Sequence, residues 1–252
     1  AEAGKHIVSV KPLARTLDEA TTILTAVRKA GVRFLPGESR SRSTAHHRQL
    51  RAWAREGRFG TPLTATFQMW GGLPKGWPGA TSSGWFTDAD RAPGGGWIDH
   101  AIYHIDLLRW VFDTNVVKVS GRTANLKHAE LPFEDYGHAI MEFDNGLVAT
   151  IEDTWTAPPG GGRSTSSIVG TEGAVIADSL TGRLSLLGSM HGFDGWAQVA
   201  PGPSYPDSVD DLIALARGGD EPLATVEDAW QNLAACRAFY AAAAAGSVLG
   251  PE

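Results

Sequence analysis

From residue 116 onward the sequence alternates apolar and polar residues, and this alternation is the feature that most constrains the fold. Six segments carry the pattern: 116–126, 137–143, 147–155, 164–170, 174–178 and 184–187. Asp144-Asn145-Gly146, between the second and third segments, is typical of a tight hairpin turn. The pattern therefore predicts a large, mainly antiparallel sheet with helices on one face.

The front of the chain has a different pattern, that of a strand, a helix and a second strand within residues 1–35. Thr16 and Glu19 form a capping box that starts the helix, and Gly31 ends it. A strand–helix–strand unit followed by a large sheet predicts the α+β class, with a remnant of an α/β unit at the front.

The other elements are predicted from helical or alternating periodicity and from turn residues. Helices are expected at 44–56, 97–112, 208–217 and 226–245, and a further strand at 61–70. Residues 71–93 are rich in glycine, proline and serine, which predicts a long loop. Loops of that length are often functional.

Polar residues are concentrated at the start of the helix that follows Gly94–Gly96. Asp99 and Tyr103 are four residues apart and share a helix face, while His100 and His104 share a neighbouring face. Such a density of polar groups on a helix with an apolar stripe is costly unless the helix borders a site. This pattern indicates a functional site at the start of the helix.

Composition excludes several classes of function. A net charge of -6 and the absence of any Lys/Arg cluster argue against a nucleic-acid partner. No apolar run approaches the roughly 20 residues that a membrane helix needs, so no membrane partner is expected. The single cysteine, Cys236, cannot form an internal disulfide and favours a cytoplasmic location.

Several short motifs occur in order along the chain: Ala3 to His6 with Lys11 to Ala14, Gly57 to Gly60, Gly94 to Asp106, Asp144 to Gly146, and Ile168 to Gly173. Together they resemble the Gfo/Idh/MocA family of NAD(P)-dependent oxidoreductases. The resemblance implies a C-terminal domain like that of glyceraldehyde-3-phosphate dehydrogenase. On this basis residues 1–35 would be a remnant of the Rossmann dinucleotide-binding domain, and residues 36–252 the substrate-binding and oligomerisation domain.

The same resemblance implies an activity. It is hydride transfer between NAD or NADP and a secondary hydroxyl of a sugar, polyol or cyclitol, by a homodimer or homotetramer that pairs through the sheet face. Lys11 would polarise the reacting oxygen and, with Pro12, contact the cofactor. Asp99 would orient the substrate hydroxyl.

The group that moves the proton is left open between Tyr103 and His104. Tyr103 can act as a base only if a nearby cation such as Lys11 lowers its pKa. Trp85, Trp97 and His100 are candidate substrate contacts, since they flank the glycines and the first helical turn.

The sequence departs from the family pattern in three places. Val10 stands where the family has glutamate, and Tyr103 stands where the family usually has the catalytic histidine. No G-x-G-x-x-G phosphate loop is present. We therefore expect weak or absent nucleotide binding if Ala1 is the true start, and a non-catalytic sugar-binding or structural subunit is the alternative function.

Some polar residues have simpler interpretations. His100 and His104 have the spacing of metal ligands, with Asp106 or His191 to complete a site, but such spacing is common without metal and we expect none. Asp106 is expected to pair with a buried polar group. Arg40 and Arg42 are equally compatible with a functional or a solvated loop position, His46-His47 are expected on an exposed helix face, and Trp155 is expected to pack on the sheet.

Overall fold

A computed structural model describes residues 1–76, 78–190, 192, 194–200, 213, 217 and 224–251. Its largest element is a sheet of β3 (Pro62–Trp70), β4 (Val116–Ala124), β5 (Tyr136–Phe143), β6 (Val148–Thr154), β7 (Arg163–Gly170), β8 (Gly173–Asp178), β9 (Arg183–Gly188) and β10 (Trp196–Val199). These strands lie in the order β10-β9-β8-β7-β3-β6-β5-β4. Neighbours are antiparallel except β3 and β6, which confirms the predicted mainly antiparallel sheet.

Strand β3 occupies a position that its sequence does not predict. It lies inside the sheet, parallel to β6 and antiparallel to β7. Parallel neighbours need a long crossover, and the chain between β3 and β6 supplies one that contains a helix and two strands. After β3 the chain stays close to β6, since the Gly71 amide donates to the Thr154 carbonyl at 2.9 Å.

Four longer helices accompany the sheet in the described chain: α1 (Leu17–Ala30), α2 (Ala45–Arg55), α3 (Ile98–Phe112) and α4 (Val226–Ala245). Helix α3 packs on β6 through a buried apolar stripe that includes Ile98, Ile102, Ile105 and Leu108. Each such side chain stabilises the fold by roughly 1.5–3 kcal/mol. Helix α4 lies against α1, α3 and β4, so one face of the sheet is covered as predicted.

The other face of the sheet carries apolar side chains that remain exposed. Ile140, Val148, Ile176 and Trp196 are 45%, 37%, 38% and 54% exposed. Their strand neighbours point the opposite way and are buried, as Ala139 is beside Ile140. The sheet therefore presents an outer face that is partly apolar and that none of the described residues covers.

The front of the chain forms the predicted strand–helix–strand unit. Strands β1 (Ile7–Ser9) and β2 (Phe34–Pro36) pair in parallel in a separate small sheet. Thr16 caps α1 by accepting from the Glu19 amide, and Gly31 ends the helix with φ 61°. The division of the chain into domains at residue 35 stays a prediction.

The glycines before α3 are required by a close approach of two segments. A Cβ on Gly95 would lie 2.0 Å from the Glu134 carbonyl oxygen, and one on Gly96 would lie 2.8 Å from that of Asp135. The Glu134 carboxylate in turn accepts from the amides of Gly95 and Trp97, at 3.1 and 3.2 Å. Because these amides start the helix, Glu134 supplies the cap that a side chain at the helix start does not.

Several elements differ from the expectation. Two 3₁₀ helices, Gly37–Ser43 and Gly84–Thr87, and strand β10 were not predicted. The helix expected at 208–217 lies outside the described residues except for Ile213 and Arg217. Among the described helices, none is both long and apolar enough to cross a membrane.

Candidate active site

A buried ion pair joins the front of the chain to α3. Lys11 follows β1, and its Nζ donates to the Asp99 carboxylate and to the Asp99 carbonyl oxygen. Both side chains are 11% exposed. The other Asp99 oxygen accepts from the Trp155 indole nitrogen at 3.0 Å. Burial alone would raise the pKa of Asp99, but Lys11, His100 and Trp155 together hold that pKa below its usual value.

Tyr103 lies one helical turn after Asp99 and faces two cations. The Lys11 Nζ is 5.3 Å from its ring centroid, and the Arg40 guanidinium carbon is 5.4 Å from it. Burial raises the pKa of Tyr103 to about 12, and the charge of Arg40 opposes that rise only in part. A pKa lowered by a nearby cation was the condition for Tyr103 to act as a base, and here burial outweighs the charge of Arg40. Tyr103 therefore keeps its proton near neutral pH.

His104, the residue after Tyr103, faces strands β3 and β6 of the sheet. Its ring stacks on Phe67 with centroids 4.6 Å apart, and its Nε2 is 3.4 Å from an oxygen of Asp153. His100 Nδ1 lies 3.6 Å from Asp99, and burial lowers the pKa of His100. In the described part of the chain no three such side chains are grouped as metal ligands, and His191 lies outside it.

Residues of this cluster line two separate cavities. The larger, about 1000 Å³, is mainly apolar and includes Lys11, Pro12, Leu13, Trp85 and Phe86 in its walls. The smaller, about 380 Å³, is lined by His46, His47, Tyr103, His104, Ser164, Thr165, Ser166, Asp178 and Arg183 among others. Lys11 lines the first cavity and Tyr103 the second, and the Lys11 Nζ is 5.3 Å from the Tyr103 ring centroid.

Of the three predicted substrate contacts, only Trp85 lines one of these two cavities. Trp85 lines the larger cavity, stacked on Phe86 at 4.0 Å. Trp97 is fully buried against Phe239 and donates its indole N–H to the Ile151 carbonyl, which corrects its expected place in a pocket wall. His100 lies between α3 and Gly71 and is absent from the walls of both cavities.

The pair His46-His47 also requires a correction. Both rings line the smaller cavity instead of an exposed helix face. Burial lowers the pKa of His46 to about 4, so this ring is neutral at neutral pH. His47 contacts the Ser41 carbonyl oxygen through Nδ1 at 2.8 Å. The two side chains therefore belong to the polar wall that faces Tyr103.

Asp106 has the structural role expected of it. It is completely buried, and it accepts hydrogen bonds from Arg42, Ser39 and Asn232 at 2.6 to 3.0 Å. Arg42 is 2% exposed and is therefore not a solvated loop charge. Arg40, two residues before it, is exposed and packs over Tyr103.

Three site residues were missed in the sequence. Trp155 is buried as expected for sheet packing, but its indole also holds Asp99. Glu38 is 1% exposed, and burial raises its pKa to about 7. Asp153 is fully buried and follows Ile151 on the inward side of β6. The sequence did carry a signal for Asp153: it continues the series of alternate residues in β6 that point inward, where a carboxylate is unusual.

Comparisons with known proteins agree with this arrangement. The model of the GFO/IDH/MocA C-terminal domain matches residues 47–176. The 1,5-anhydro-D-fructose reductase of Ensifer adhaerens is 28% identical over 247 residues, which cover 97% of this chain and 72% of that protein. The scyllo-inositol 2-dehydrogenase (NAD(+)) of Bacillus subtilis is 27% identical, with 92% of this chain and 67% of that protein covered.

A solved structure extends the likeness to the fold. The WlbA dehydrogenase from Bordetella pertussis, in complex with NADH and UDP-GlcNAcA, superposes with a TM-score of 0.78 at 26% identity. The match covers 99% of this chain and 72% of that one. The chain therefore spans about two thirds to three quarters of these three relatives.

Proposed function

This chain belongs to the GFO/IDH/MocA family of oxidoreductases, and we propose that it provides the substrate side of an NAD- or NADP-dependent dehydrogenase or reductase. The reaction is hydride transfer to or from a secondary hydroxyl of a sugar, polyol or cyclitol. The observation that carries the proposal is the buried Lys11–Asp99 pair. Its lysine lines one cavity and lies 5.3 Å from the ring of Tyr103, which lines another cavity together with His104.

The smaller cavity suits a polyhydroxylated substrate. The residues that line it include Ser164 and Ser166, which are in register with Met69 and Phe67, and the charged Asp178 and Arg183. Such groups can donate to and accept from several hydroxyls at once. Its volume, about 380 Å³, lies in the range usual for small-molecule sites. The printed names of the relatives, a sugar reductase and an inositol dehydrogenase, support the same class of substrate.

The buried groups have complementary roles in such a reaction. The Lys11 ammonium polarises the substrate oxygen, and Asp99 holds that ammonium and orients the hydroxyl. Tyr103, whose pKa is about 12, is suited to donate a proton to a carbonyl oxygen during reduction. In the oxidation direction Tyr103 would first have to lose its own proton, which its raised pKa opposes, so His104 is the favoured acceptor.

The residues around Lys11 fit one end of the cofactor. Bound NAD or NADP supplies the hydride or accepts it. The flat faces of Trp85 and Phe86 beside Lys11 and Pro12 can receive a nicotinamide ring or the apolar face of a sugar. In the part of the chain that the structure describes, no glycine-rich turn joins a strand to a helix in the manner of a pyrophosphate cradle.

The outer face of the sheet supports a proposal for assembly. Ile140, Val148, Ile176 and Trp196 are exposed there in a single chain. Exposed apolar side chains on one face of a sheet are a common feature of interfaces between subunits. We propose a homodimer or homotetramer that pairs through this face, and a monomer by light scattering at micromolar concentration would contradict it.

A cytoplasmic location also stays a proposal.

The proton-transfer assignment is tested by two variants in the protein that carries the activity. Tyr103→Phe removes one hydroxyl and keeps the ring, and His104→Gln removes the imidazole. Loss of the proton-transfer group lowers kcat by roughly 100- to 10,000-fold. The larger loss identifies the group, measured by NAD(P)H absorbance with a panel of sugars, polyols and cyclitols. If sugars bind by calorimetry without any turnover, the chain belongs to a non-catalytic binding subunit and the proposal fails.

A further inference from the structure

Asp153 is a buried carboxylate with no hydrogen bond in the described structure. It lies on β6, is 0% exposed, and both of its oxygens lack a hydrogen-bonding partner. Buried carboxylates are normally paired, since an uncompensated one costs several kcal/mol. The position of Asp153 therefore needs a physical explanation that sheet packing does not supply.

Two imidazoles of α3 face this carboxylate. His104 Nε2 is 3.4 Å from Asp153 Oδ1, and that nitrogen is itself buried without a hydrogen bond. His100, one turn earlier, also feels the charge of Asp153, which acts to raise the pKa of His100 against the effect of burial. An ionised carboxylate only accepts hydrogen bonds, so a ring nitrogen that faces it is favoured in its N–H form.

We propose that Asp153 is a positioning residue that holds His104 in the tautomer with its proton on Nε2. A distance of 3.4 Å becomes a normal N–H···O hydrogen bond after a small rotation of the ring. The second ring nitrogen, Nδ1, then carries a lone pair. Because His104 lines the smaller cavity, that lone pair is available to a ligand there.

Stacking on Phe67 strengthens the case for a fixed ring. The two rings are nearly parallel, with an interplanar angle of 20° and centroids 4.6 Å apart. Stacking on Phe67 fixes the plane of the imidazole, and Asp153 fixes which ring nitrogen, Nε2, points toward the sheet. The geometry thus fixes both the plane of the His104 ring and its orientation within that plane.

The consequence for catalysis rests on the proposed function. If substrate hydroxyls enter the smaller cavity, Nδ1 of His104 accepts a proton there, while Tyr103, with a pKa of about 12, acts as a donor. Asp153 does not touch the substrate in this arrangement. It acts through His104, as a buried carboxylate acts on the tautomer of a histidine in hydrolase triads.

The test is nitrogen NMR of the chain with ¹⁵N-labelled histidine, without cofactor or substrate. Spectra are recorded at a pH of about 8.5, where ordinary imidazoles are neutral. His104→Gln identifies the His104 signals by their loss. We expect the Nε2–H tautomer to dominate in the wild type and to fall to about half or less in Asp153→Asn, since an amide can accept from or donate to Nε2.

Glu152→Gln is the matched control, because it makes the same change at the next residue, whose carboxylate accepts from Gln68 at 2.9 Å. It should leave the His104 tautomer unchanged. A wild-type ring that carries its proton on Nδ1, or that stays doubly protonated, overturns the proposal without any variant. Equal tautomer populations in the wild type and Asp153→Asn also overturn it. None of these results depends on activity, so failure here is distinct from failure of the proposed function.

Discussion

Two buried aspartates, Asp106 on α3 and Asp153 on β6, differ in their hydrogen bonds. Asp106 and Asp153 are both 0% exposed. Asp106 accepts hydrogen bonds from Arg42, Ser39 and Asn232, whereas Asp153 accepts none in the described structure. The first carboxylate is fully satisfied by the protein, and the second is held beside a histidine at the wall of a cavity.

The difference separates a structural role from a functional one. A satisfied buried network rigidifies the fold, and its members cannot be removed singly without leaving a partner unpaired. An unsatisfied buried group costs stability, and such groups occur where function requires them. On this view, removal of the Asp106 charge damages the fold, while removal of the Asp153 charge alters the site and leaves the fold intact.

The largest expected effect is that of Asp106→Asn on stability. The substitution leaves the buried Arg42 guanidinium without its main counter-charge, which costs about 3–5 kcal/mol of unfolding free energy. Urea denaturation measures this loss. Asp113→Asn is the control, because Asp113 pairs with Arg51 at a position where its side chain is 64% exposed, and it should change stability by less than about 1 kcal/mol. Similar losses in the two variants would contradict the assigned role of the Arg42–Asp106 pair.

The next effect concerns Glu38, whose carboxyl is buried near Asp106, Arg42 and Lys11 and whose pKa is raised from 4.5 to about 7. The folded chain binds this proton more tightly than the unfolded chain does. The stability that the folded chain gains from binding this proton is fully present below about pH 4.5 and is lost as the pH rises through about 7. Glu38→Gln, which mimics the protonated acid, should gain up to about 3 kcal/mol over the wild type between these limits. Parallel pH–stability curves for the two proteins would exclude the raised pKa.

A third effect tests the ion pair at the site. In the active protein, Lys11→Met should lower kcat by about 100-fold, the scale of the loss of one electrostatic stabiliser. Lys118→Met is the control, since Lys118 pairs with Glu142 on the surface with 59% of its side chain exposed. Steady-state rates of both variants provide the comparison. A rate for Lys11→Met within about twofold of the control would remove Lys11 from the proposed mechanism.

The smallest expected effect completes the comparison of the two aspartates. Asp153→Asn removes a charge that no hydrogen bond holds, so its unfolding free energy should stay within about 1 kcal/mol of the wild type or rise. The same urea titration as for Asp106→Asn measures it. A loss of about 3 kcal/mol or more would place Asp153 with Asp106 as a structural residue.

Local patterns were sufficient for most elements of the fold. The cap at Thr16, the stop at Gly31 and the turn at Asn145-Gly146 each act through neighbours in the chain, and the structure contains all three. The reciprocal half of the capping box is absent, because the Glu19 carboxylate accepts from the Arg15 amide instead of that of Thr16. The apolar stripe of α3 could be predicted for the same reason, since helical spacing is also local. Strand β3 was recognised as a strand, but its place inside the sheet depends on pairing with residues far away in sequence.

The candidate site divides in the same way. The sequence by itself determined that Asp99, Tyr103 and His104 share the start of one helix, because helical spacing is local. Only the tertiary structure decided that Lys11 reaches Asp99, that Trp97 is buried, and that Asp153 faces His104. Burial and charge pairing set these outcomes, and both depend on segments that meet in space after folding. The raised pKa of Tyr103 has the same origin, since desolvation by the packed chain outweighs the charge of Arg40.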